Sequence, residues 1–198
     1  GIAVGTAILP PLSRQVRTGL EAEAKHTQNR GVELALLLTL PAAVALAVLA
    51  EPILAVLFQR GAFGPAETRA TAAALAAFAA GLPAFVLVKV LAPGFFARHD
   101  TTTPVKIAAA AMVVNAVLTV ALMWPLAHVG NALATSIAGW TNALLLFELL
   151  RRRGHFALDA AARRRLPRIA AAALGMGAVL YGAALALAPA IEARGLAG

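Results

Sequence analysis

Residues 87–106, LVKVLAPGFFARHDTTTPVK, contain the pattern that decides the fold of this 198-residue chain. An apolar run ends in two phenylalanines, a short polar turn follows, and Thr103 and Pro104 open the next apolar run. Long apolar blocks separated by short charged segments recur along the whole sequence. Because the blocks lack the single apolar stripe of a soluble amphipathic helix, the pattern is typical of a polytopic helical membrane protein.

The composition indicates the same class. Hydrophobic residues make up 61% of the chain, charged residues only 13%, and the mean hydropathy is +0.81. A soluble domain carries about 25% charged residues. Alanine dominates the apolar blocks, and they lack the alternating pattern that marks a transmembrane β-barrel. The sequence therefore predicts an all-α fold.

A helix needs about 20 apolar residues to cross a bilayer core. On this measure the sequence predicts five full transmembrane helices and one truncated helix. Interruptions are expected at Pro41 and at Glu51-Pro52. Kinks are expected at Gly81 and Pro83, which with Pro41 are the candidate gating positions. In chain order the predicted spans are 1–12 (truncated), 31–58, 68–96, 104–124, 131–150 and 169–188.

The two ends of the sequence do not have the features of natural termini. The chain opens on GIAVGTAILPPLSR, without a methionine or a charged segment, and closes on IEARGLAG. The opening has the character of the second half of a membrane helix rather than of a signal peptide. We expect the chain to be a fragment of a longer protein.

Cations are distributed unequally between the two sides of the predicted helices. If residues 13–30 are cytoplasmic, alternation puts 97–106 and 151–168 on the same side. These three segments hold thirteen of the seventeen Lys and Arg residues, the opposite side holds three, and only Lys89 lies within a span. This asymmetry follows the positive-inside rule, so it supports the predicted topology.

The sequence lacks the motifs of the common enzyme and metal-binding classes. It contains no cysteine, and its four histidines, at positions 26, 99, 128 and 155, are isolated. No metal-ligand spacing, paired carboxylates or phosphate-binding loop occurs, so no catalytic residue, metal or cofactor is expected. The net charge of +8 is assigned to the cytoplasmic loops and not to nucleic-acid binding, because no recognition fold accompanies it. Transport is the expected kind of function.

Lys89 is the strongest candidate site residue. A lysine at mid-membrane costs about 2.5–3.5 kcal/mol on insertion scales. One interpretation places Lys89 in a water-filled cavity, where it would bind an anion such as a phosphate or pyrophosphate. The alternative is snorkelling to the interface, since Lys89 precedes Arg98 by only about 13 Å of helix.

The other polar residues within the spans have structural interpretations. Asn115, Thr119 and Asn142 lie mid-span and are expected to bridge helices. Glu148 is expected to pair with the arginines at 151–153 at the membrane interface. The basic segment that follows is expected to meet anionic lipid headgroups.

The cytoplasmic loop ARHDTTTP contains two further candidates, Arg98 and Asp100. Asp100 or a following threonine is expected to cap the incoming helix. Pro104 then falls near the first helical turn, where a missing N–H costs little. Capping accounts for most of this loop but leaves Arg98 and His99 without an explanation.

Four stretches of the sequence resemble the MurJ/MviN family of bacterial lipid II flippases. They occur in the family's order and spacing between residues 1 and 153, whereas residues from Arg163 onward are matched mainly by hydropathy. The four stretches are LPPLSRQ at 9–15, LAEPILAVLFQRGAF at 49–63, LVKVLAPGFFARHDTTTPVK at 87–106 and LLLFELLRRR at 144–153.

The resemblance implies a two-lobed exporter with a central cavity, of which residues 1–198 would be part of the C-terminal lobe. It implies alternating-access transport of lipid II, a lipid-linked peptidoglycan precursor, from the inner to the outer leaflet of the bacterial cytoplasmic membrane. The implied partners are lipid II, membrane lipids and the N-terminal lobe, and Lys89 matches the lysine of the family's VKVLAPGF motif. The alternatives are a related exporter of another lipid-linked polysaccharide or a drug, and a non-transporting membrane scaffold.

Overall fold

The computed structural model of the chain describes residues 2–61 and 63–193. These residues form seven helices and no strand, so the predicted all-α fold is confirmed. Gly1, which opens the predicted truncated span, lies outside the described residues. In chain order the helices are α1 (Ile2–Arg17), α2 (Glu21–Val48), α3 (Ala50–Phe58), α4 (Pro65–Ala79), α5 (Leu82–Phe96), α6 (Thr102–Arg152) and α7 (Ala160–Ala193).

Four segments of the described chain are long enough and apolar enough to cross a bilayer. They are Glu21–Val48, Pro65–Phe96, Thr102–Arg152 and Ala160–Ala186. The third has 51 residues. A straight helix of that length would measure about 76 Å, whereas a bilayer core is about 30 Å thick. Helix α6 must therefore supply two spans.

Helix α6 reverses direction at Ala127, whose φ of 48° and ψ of −128° are not helical. The Thr119 hydroxyl donates a 3.3 Å hydrogen bond to the side-chain oxygen of Asn131. In a straight helix these two residues would lie about 18 Å apart along the axis. Helix α6 is therefore a hairpin of two arms, which we call the first arm (102–126) and the second arm (128–152).

The predicted span 31–58 differs from the structure at its start and in its interior. Helix α2 begins at Glu21, and the helical conformation is interrupted at Leu49, before α3. The break lies one turn before Pro52, because Pro52 has no N–H for the carbonyl four residues earlier. The expected interruption at Pro41 is not observed, since α2 runs through this residue.

The predicted span 68–96 also consists of two helices, α4 and α5. The break falls at Ala80 and Gly81, and Pro83 follows in the first turn of α5, where its missing N–H is tolerated. A β-carbon at Gly81 would lie 2.9 Å from the Cα of Ser136. Glycine is required here because the α4–α5 break meets the backbone of the second arm of α6.

Helix α7 begins earlier than the predicted span 169–188. It starts at Ala160, so the basic segment is a loop only in its first part and helical in the remainder. Asp159 caps the helix by accepting a 2.6 Å hydrogen bond from the backbone N–H of Ala162. At the other end α7 continues past Pro189, where the sequence predicts a stop.

Helices α1, α2 and α5 pack with the second arm of α6 around one apolar core. Helix α7 packs along α2. Lipid is as apolar as the core itself, so the hydrophobic effect does not hold the helices together within the membrane. Close van der Waals packing of the apolar side chains stabilises the assembly instead. The largest core side chains that are fully buried are Leu12, Leu91, Phe95, Leu146, Leu150 and Phe156.

Ion pairs join the basic segments at one end of the helices. Arg98 pairs with Glu21, and Arg153 pairs with Asp100 at 2.6 Å. These contacts bring the three cation-rich segments to the same side, as the charge asymmetry requires. We call this side the basic end; it is formed by residues 13–30, 97–106 and 151–168.

Candidate functional site

Lys89 lies in the middle of α5, on a different face from the residues that enter the core. Val90 and Leu91 are 0% and 1% exposed, whereas the Lys89 side chain is exposed. Within residues 2–61 and 63–193, Lys89 makes no ion pair. A lysine at this depth of an apolar helix needs water or an anion beside it.

An open groove of about 410 Å³ lies between α5 and the two arms of α6, and Lys89 lines it. This volume is in the range of small-molecule sites, about 300–1,000 Å³. Three neutral polar side chains, Asn115, Thr135 and Asn142, line the groove with Lys89. The remaining lining is apolar: Phe85, Val88, Ala108, Ala111, Met112, Ala138 and Gly139. The groove can therefore hold an anionic, hydroxyl-bearing group between apolar walls. We call it the Lys89 groove.

The amides of the Lys89 groove do not form the helix bridges that the sequence predicts. The side-chain oxygen of Asn142 is buried and has no hydrogen-bond partner within the described part of the chain. Asn115 accepts a long hydrogen bond of 3.4 Å from Thr119, one turn along the same arm. Of the three residues, Thr119 bridges the two arms, through Asn131. Asn115 is thus available to a ligand, whereas Asn142 lines the groove with its oxygen turned away from solvent.

Helix α1 supports Lys89 from the side away from the groove. Gly5 is buried against α5, and a β-carbon at this position would lie 2.6 Å from the carbonyl oxygen of Lys89. The contact is with backbone, so it cannot be relieved by rotation of a side chain. Gly5 therefore fixes the distance between α1 and the segment of α5 that carries Lys89.

The Gly5→Ala variant of the complete protein is expected to lose about 1–3 kcal/mol of unfolding free energy, because the added methyl must separate α1 from α5. The measurement is unfolding in detergent by a denaturant. Gly182→Ala is the matched control, since nothing lies within 4 Å of a β-carbon on this glycine. Its stability should be unchanged or slightly raised by the better helix propensity of alanine. Equal destabilisation by both changes would contradict the α1–α5 contact.

The three candidate gating residues lie away from Lys89. Gly81 and Pro83 are buried at the α4–α5 break, and Pro41 is half-buried within α2. None of the three lines the Lys89 groove. Their part in gating stays a prediction.

The loop after α5 shows why Arg98 and His99 stand beside the capping residue. Arg98 is largely buried: it donates a 2.9 Å hydrogen bond to the Gly94 carbonyl and pairs with Glu21 of α2. His99 has a φ of 60°, the left-handed conformation that ends α5, and histidine is among the residues that tolerate it. Asp100 accepts a 2.9 Å hydrogen bond from the backbone N–H of Thr103 and so caps α6, as predicted.

Asp100 also holds the end of α6 to its beginning. Arg153, which pairs with Asp100, donates a 3.1 Å hydrogen bond to the Thr103 hydroxyl and lies over the Phe95 ring. Hydrogen bonds from the Thr103 side chain and backbone, followed by the hydrogen bond and charge of Arg153, hold the pKa of Asp100 well below its usual range. Asp100 is therefore ionised throughout the physiological pH range.

The Asp100→Asn variant keeps an oxygen for the Thr103 N–H but loses the ion pair with Arg153. We expect a lower thermal unfolding midpoint than that of the unchanged protein, by an amount that is constant from about pH 5 to pH 8. A carboxyl with a depressed pKa contributes stability above its ordinary pKa of about 3.9, and this contribution is lost only as the pH falls toward the folded value. The difference in unfolding midpoint between the variant and the unchanged protein should therefore narrow only at acidic pH. A change in this difference between about pH 5 and pH 8 would contradict the depressed pKa of Asp100.

Three buried polar residues of α2 are not predicted by the sequence. Gln28, Asn29 and Glu33 are 0%, 1% and 7% exposed, although Gln28 and Asn29 lie in a segment with the composition of a solvated loop. The Asn29 amide donates a 2.9 Å hydrogen bond to the Ala157 carbonyl. Glu33 accepts hydrogen bonds from Arg30 and from Arg165 of α7. The one available signal is the position of Glu33, an acidic residue just inside a predicted span.

The structure combines long apolar helices, one of them a hairpin, with a groove that contains an unpaired lysine. These features define the class as a polytopic α-helical membrane protein with a polar groove between its helices. The chain belongs to the lipid II flippase MurJ family, whose sequence profile matches residues 1–190. The transporter family expected from the sequence motifs is thereby confirmed.

Relatives of known name cover nearly the whole chain. It is 50% identical over 181 residues to the probable lipid II flippase MurJ of Rhizobium meliloti (strain 1021), covering 91% of this chain and 34% of that protein. It is 46% identical over 180 residues to the protein of the same description from Rhizobium tropici, again covering 91% of this chain and 34% of that protein. The chain thus spans about a third of the length of the curated relatives it matches.

A solved structure has the same fold. The chain is similar to a lipid II flippase MurJ in an inward closed conformation, with a TM-score of 0.72 and 23% sequence identity. The match covers 95% of this chain and 43% of that chain. At this identity the likeness concerns the fold alone, and it agrees with the arrangement of α1 to α7.

Proposed function

We propose that this chain forms part of the C-terminal lobe of a transporter that moves lipid II from the inner to the outer leaflet of the bacterial cytoplasmic membrane. The observation that carries the proposal is the Lys89 groove: an unpaired cation within an apolar helix, beside two amides. Membership of the lipid II flippase MurJ family supports the substrate. The protein acts by binding and conformational change, without a catalytic residue, metal or cofactor.

In the proposed mechanism Lys89 contributes positive charge where the substrate's pyrophosphate passes. An ammonium attracts a diphosphate as a compact point charge and forms charge-assisted hydrogen bonds with it. Asn115 offers a donor and an acceptor to the sugars, and Phe85 and Met112 belong to the apolar wall of the groove. The N-terminal lobe of the complete protein closes the opposite side of the groove.

Alternating access requires the helices that flank the groove to move against each other. The α4–α5 break at Gly81 and Pro83 is the proposed hinge next to α5, and Pro41 is the proposed hinge in α2. Residues at helix ends, such as Gly81, absorb such backbone changes, and a proline within a helix, such as Pro41, lacks one of the backbone hydrogen bonds that resist bending. In this proposal the basic end faces the cytoplasm, as the positive-inside rule requires.

Complementation tests the proposed substrate. The complete protein should restore growth and cell shape to a bacterial strain depleted of its own lipid II flippase. An exporter of another lipid-linked polysaccharide would reach the membrane without restoring growth, and a scaffold would do the same. Detection of the protein in the membrane fraction therefore accompanies the growth assay, and failure to rescue at a normal protein level would contradict the proposal.

A further inference from the structure

A second groove lies at the basic end, between α2 and α7, away from the Lys89 groove. Its volume is about 540 Å³, and its lining combines arginines with exposed apolar side chains. We call it the α2–α7 groove. It is lined by Arg30, Glu33, Leu34, Leu37, Arg165, Arg168 and Ile169.

The charges of the α2–α7 groove leave one guanidinium available. Glu33, whose side chain is 9% exposed, pairs with Arg30 and with Arg165 at 3.1 Å. Arg30 also lies 3.6 Å from Asp159. Arg168 makes no ion pair or side-chain hydrogen bond within the described ranges. The groove is therefore positively charged, with Arg168 free to bind an anion and Arg165 beside it.

The apolar part of the groove begins directly beyond the arginines. Leu34 and Leu37 are 46% and 52% exposed, and they lie three residues apart on one face of α2. Ile169 of α7 follows Arg168 along the chain. Arg30 and Leu37 are separated by about 10 Å along the helix. A cationic end joined to an exposed apolar wall over this distance matches an amphiphile with an anionic head.

We infer that the α2–α7 groove binds an anionic phospholipid of the inner leaflet. Arg168 and Arg165 hold the phosphodiester, and one acyl chain lies along Leu34 and Leu37. Arginine suits this task because its planar guanidinium can donate two hydrogen bonds to one phosphate. The groove lies at the level where headgroups meet the basic end, which favours a membrane lipid over a soluble anion. A lipid there would hold α7 against α2.

Native mass spectrometry of the complete protein tests this site. Phosphatidylglycerol and phosphatidylcholine are added to delipidated protein, and the retained lipid is measured for the unchanged protein and for Arg168→Gln. We expect phosphatidylglycerol to bind more tightly than phosphatidylcholine. The substitution should weaken phosphatidylglycerol binding by about tenfold, the effect of one charge-assisted hydrogen bond. Arg164→Gln is the matched control: it removes the same charge from the same helix, but Arg164 does not line the groove. It should change binding by less than about twofold.

Two further measurements separate the alternatives. Leu37→Ser should weaken phosphatidylglycerol binding without changing any charge, and excess inorganic phosphate should not displace the lipid. Equal losses in Arg168→Gln and Arg164→Gln would show diffuse attraction to a basic surface, and no loss in Arg168→Gln would show no site. Displacement by inorganic phosphate would show a site for free anions. Each of these three results would overturn the inference, and none depends on lipid II transport.

Discussion

A Lys89→Ala variant of the complete protein is expected to fail to restore growth to a flippase-depleted strain, although it reaches the membrane in a normal amount. Lys89 is the cation of the Lys89 groove. Loss of one charge-assisted contact with a diphosphate should weaken substrate binding by about 10-fold to 100-fold. The fold should be kept, because the Lys89 side chain is exposed and its removal leaves no buried charge. Growth on depletion and protein level in the membrane are the two measurements.

Lys106→Ala is the matched control for this prediction. Lys106 is an exposed lysine near the start of α6, at the basic end, and does not line the Lys89 groove. Its removal changes the net charge equally and should leave growth unchanged. Lys89→Arg should retain part of the function, since the charge is kept but the shape of the donor differs. Full rescue by Lys89→Ala would indicate that Lys89 only snorkels to the interface.

The second large effect is expected for Asn29→Ala, which should lower the unfolding free energy by about 2–3 kcal/mol. Asn29 is 1% exposed, and its amide donates 2.9 Å hydrogen bonds to the carbonyls of Lys25 and Ala157. Its oxygen accepts a 3.4 Å hydrogen bond from the Asp159 N–H. Removal of this buried amide breaks all three hydrogen bonds to partly buried backbone at the junction of α2 and α7. Denaturant unfolding in detergent gives the value.

Asn131→Ala is the control for Asn29→Ala, because Asn131 is an exposed asparagine within a helix. Its truncation removes a single 3.3 Å hydrogen bond from Thr119 at an exposed position, so it should cost less than about 1 kcal/mol. If the two variants are equally stable, the Asn29 amide does not hold the loop before α7 to α2.

The membrane fold follows from the sequence because a bilayer leaves few choices. Each apolar block must satisfy its backbone internally, so it must be helical, and the cations then set the sidedness of the loops. The contacts of Arg98 with Glu21 and of Arg153 with Asp100 agree with that pattern.

The positions of the helix breaks are less predictable. Proline signals a break, but the carbonyl that it leaves without a hydrogen bond lies four residues earlier. Pro52 therefore ends α2 at Val48, whereas Pro41 is accommodated within α2. Ala127, the reversal point of α6, has an ordinary side chain, and its left-handed conformation depends on how the two arms pack. Local sequence does not determine such packing.

The sequence predicts the charged residue of the candidate site, Lys89, but not the residues that lie beside it. A lysine in an apolar run is visible in any sequence, but Asn115 and Asn142 suggested helix bridging until both were found beside Lys89 in one groove. Asn29 and Glu33 were missed because their partners lie 128 and 132 residues away along the chain. A single sequence does not show which residues meet over such separations.

Photo-crosslinking within the Lys89 groove tests the central claim most directly. Met112 and Val113 are both well exposed, at 73% and 63%, but only Met112 lines the groove. A benzophenone amino acid is placed at each position in turn in the complete protein, in membranes that contain radiolabelled lipid II. The proposed function predicts capture of lipid II from position 112 and little or none from position 113. Equal capture at both positions, or no capture at position 112, would contradict it.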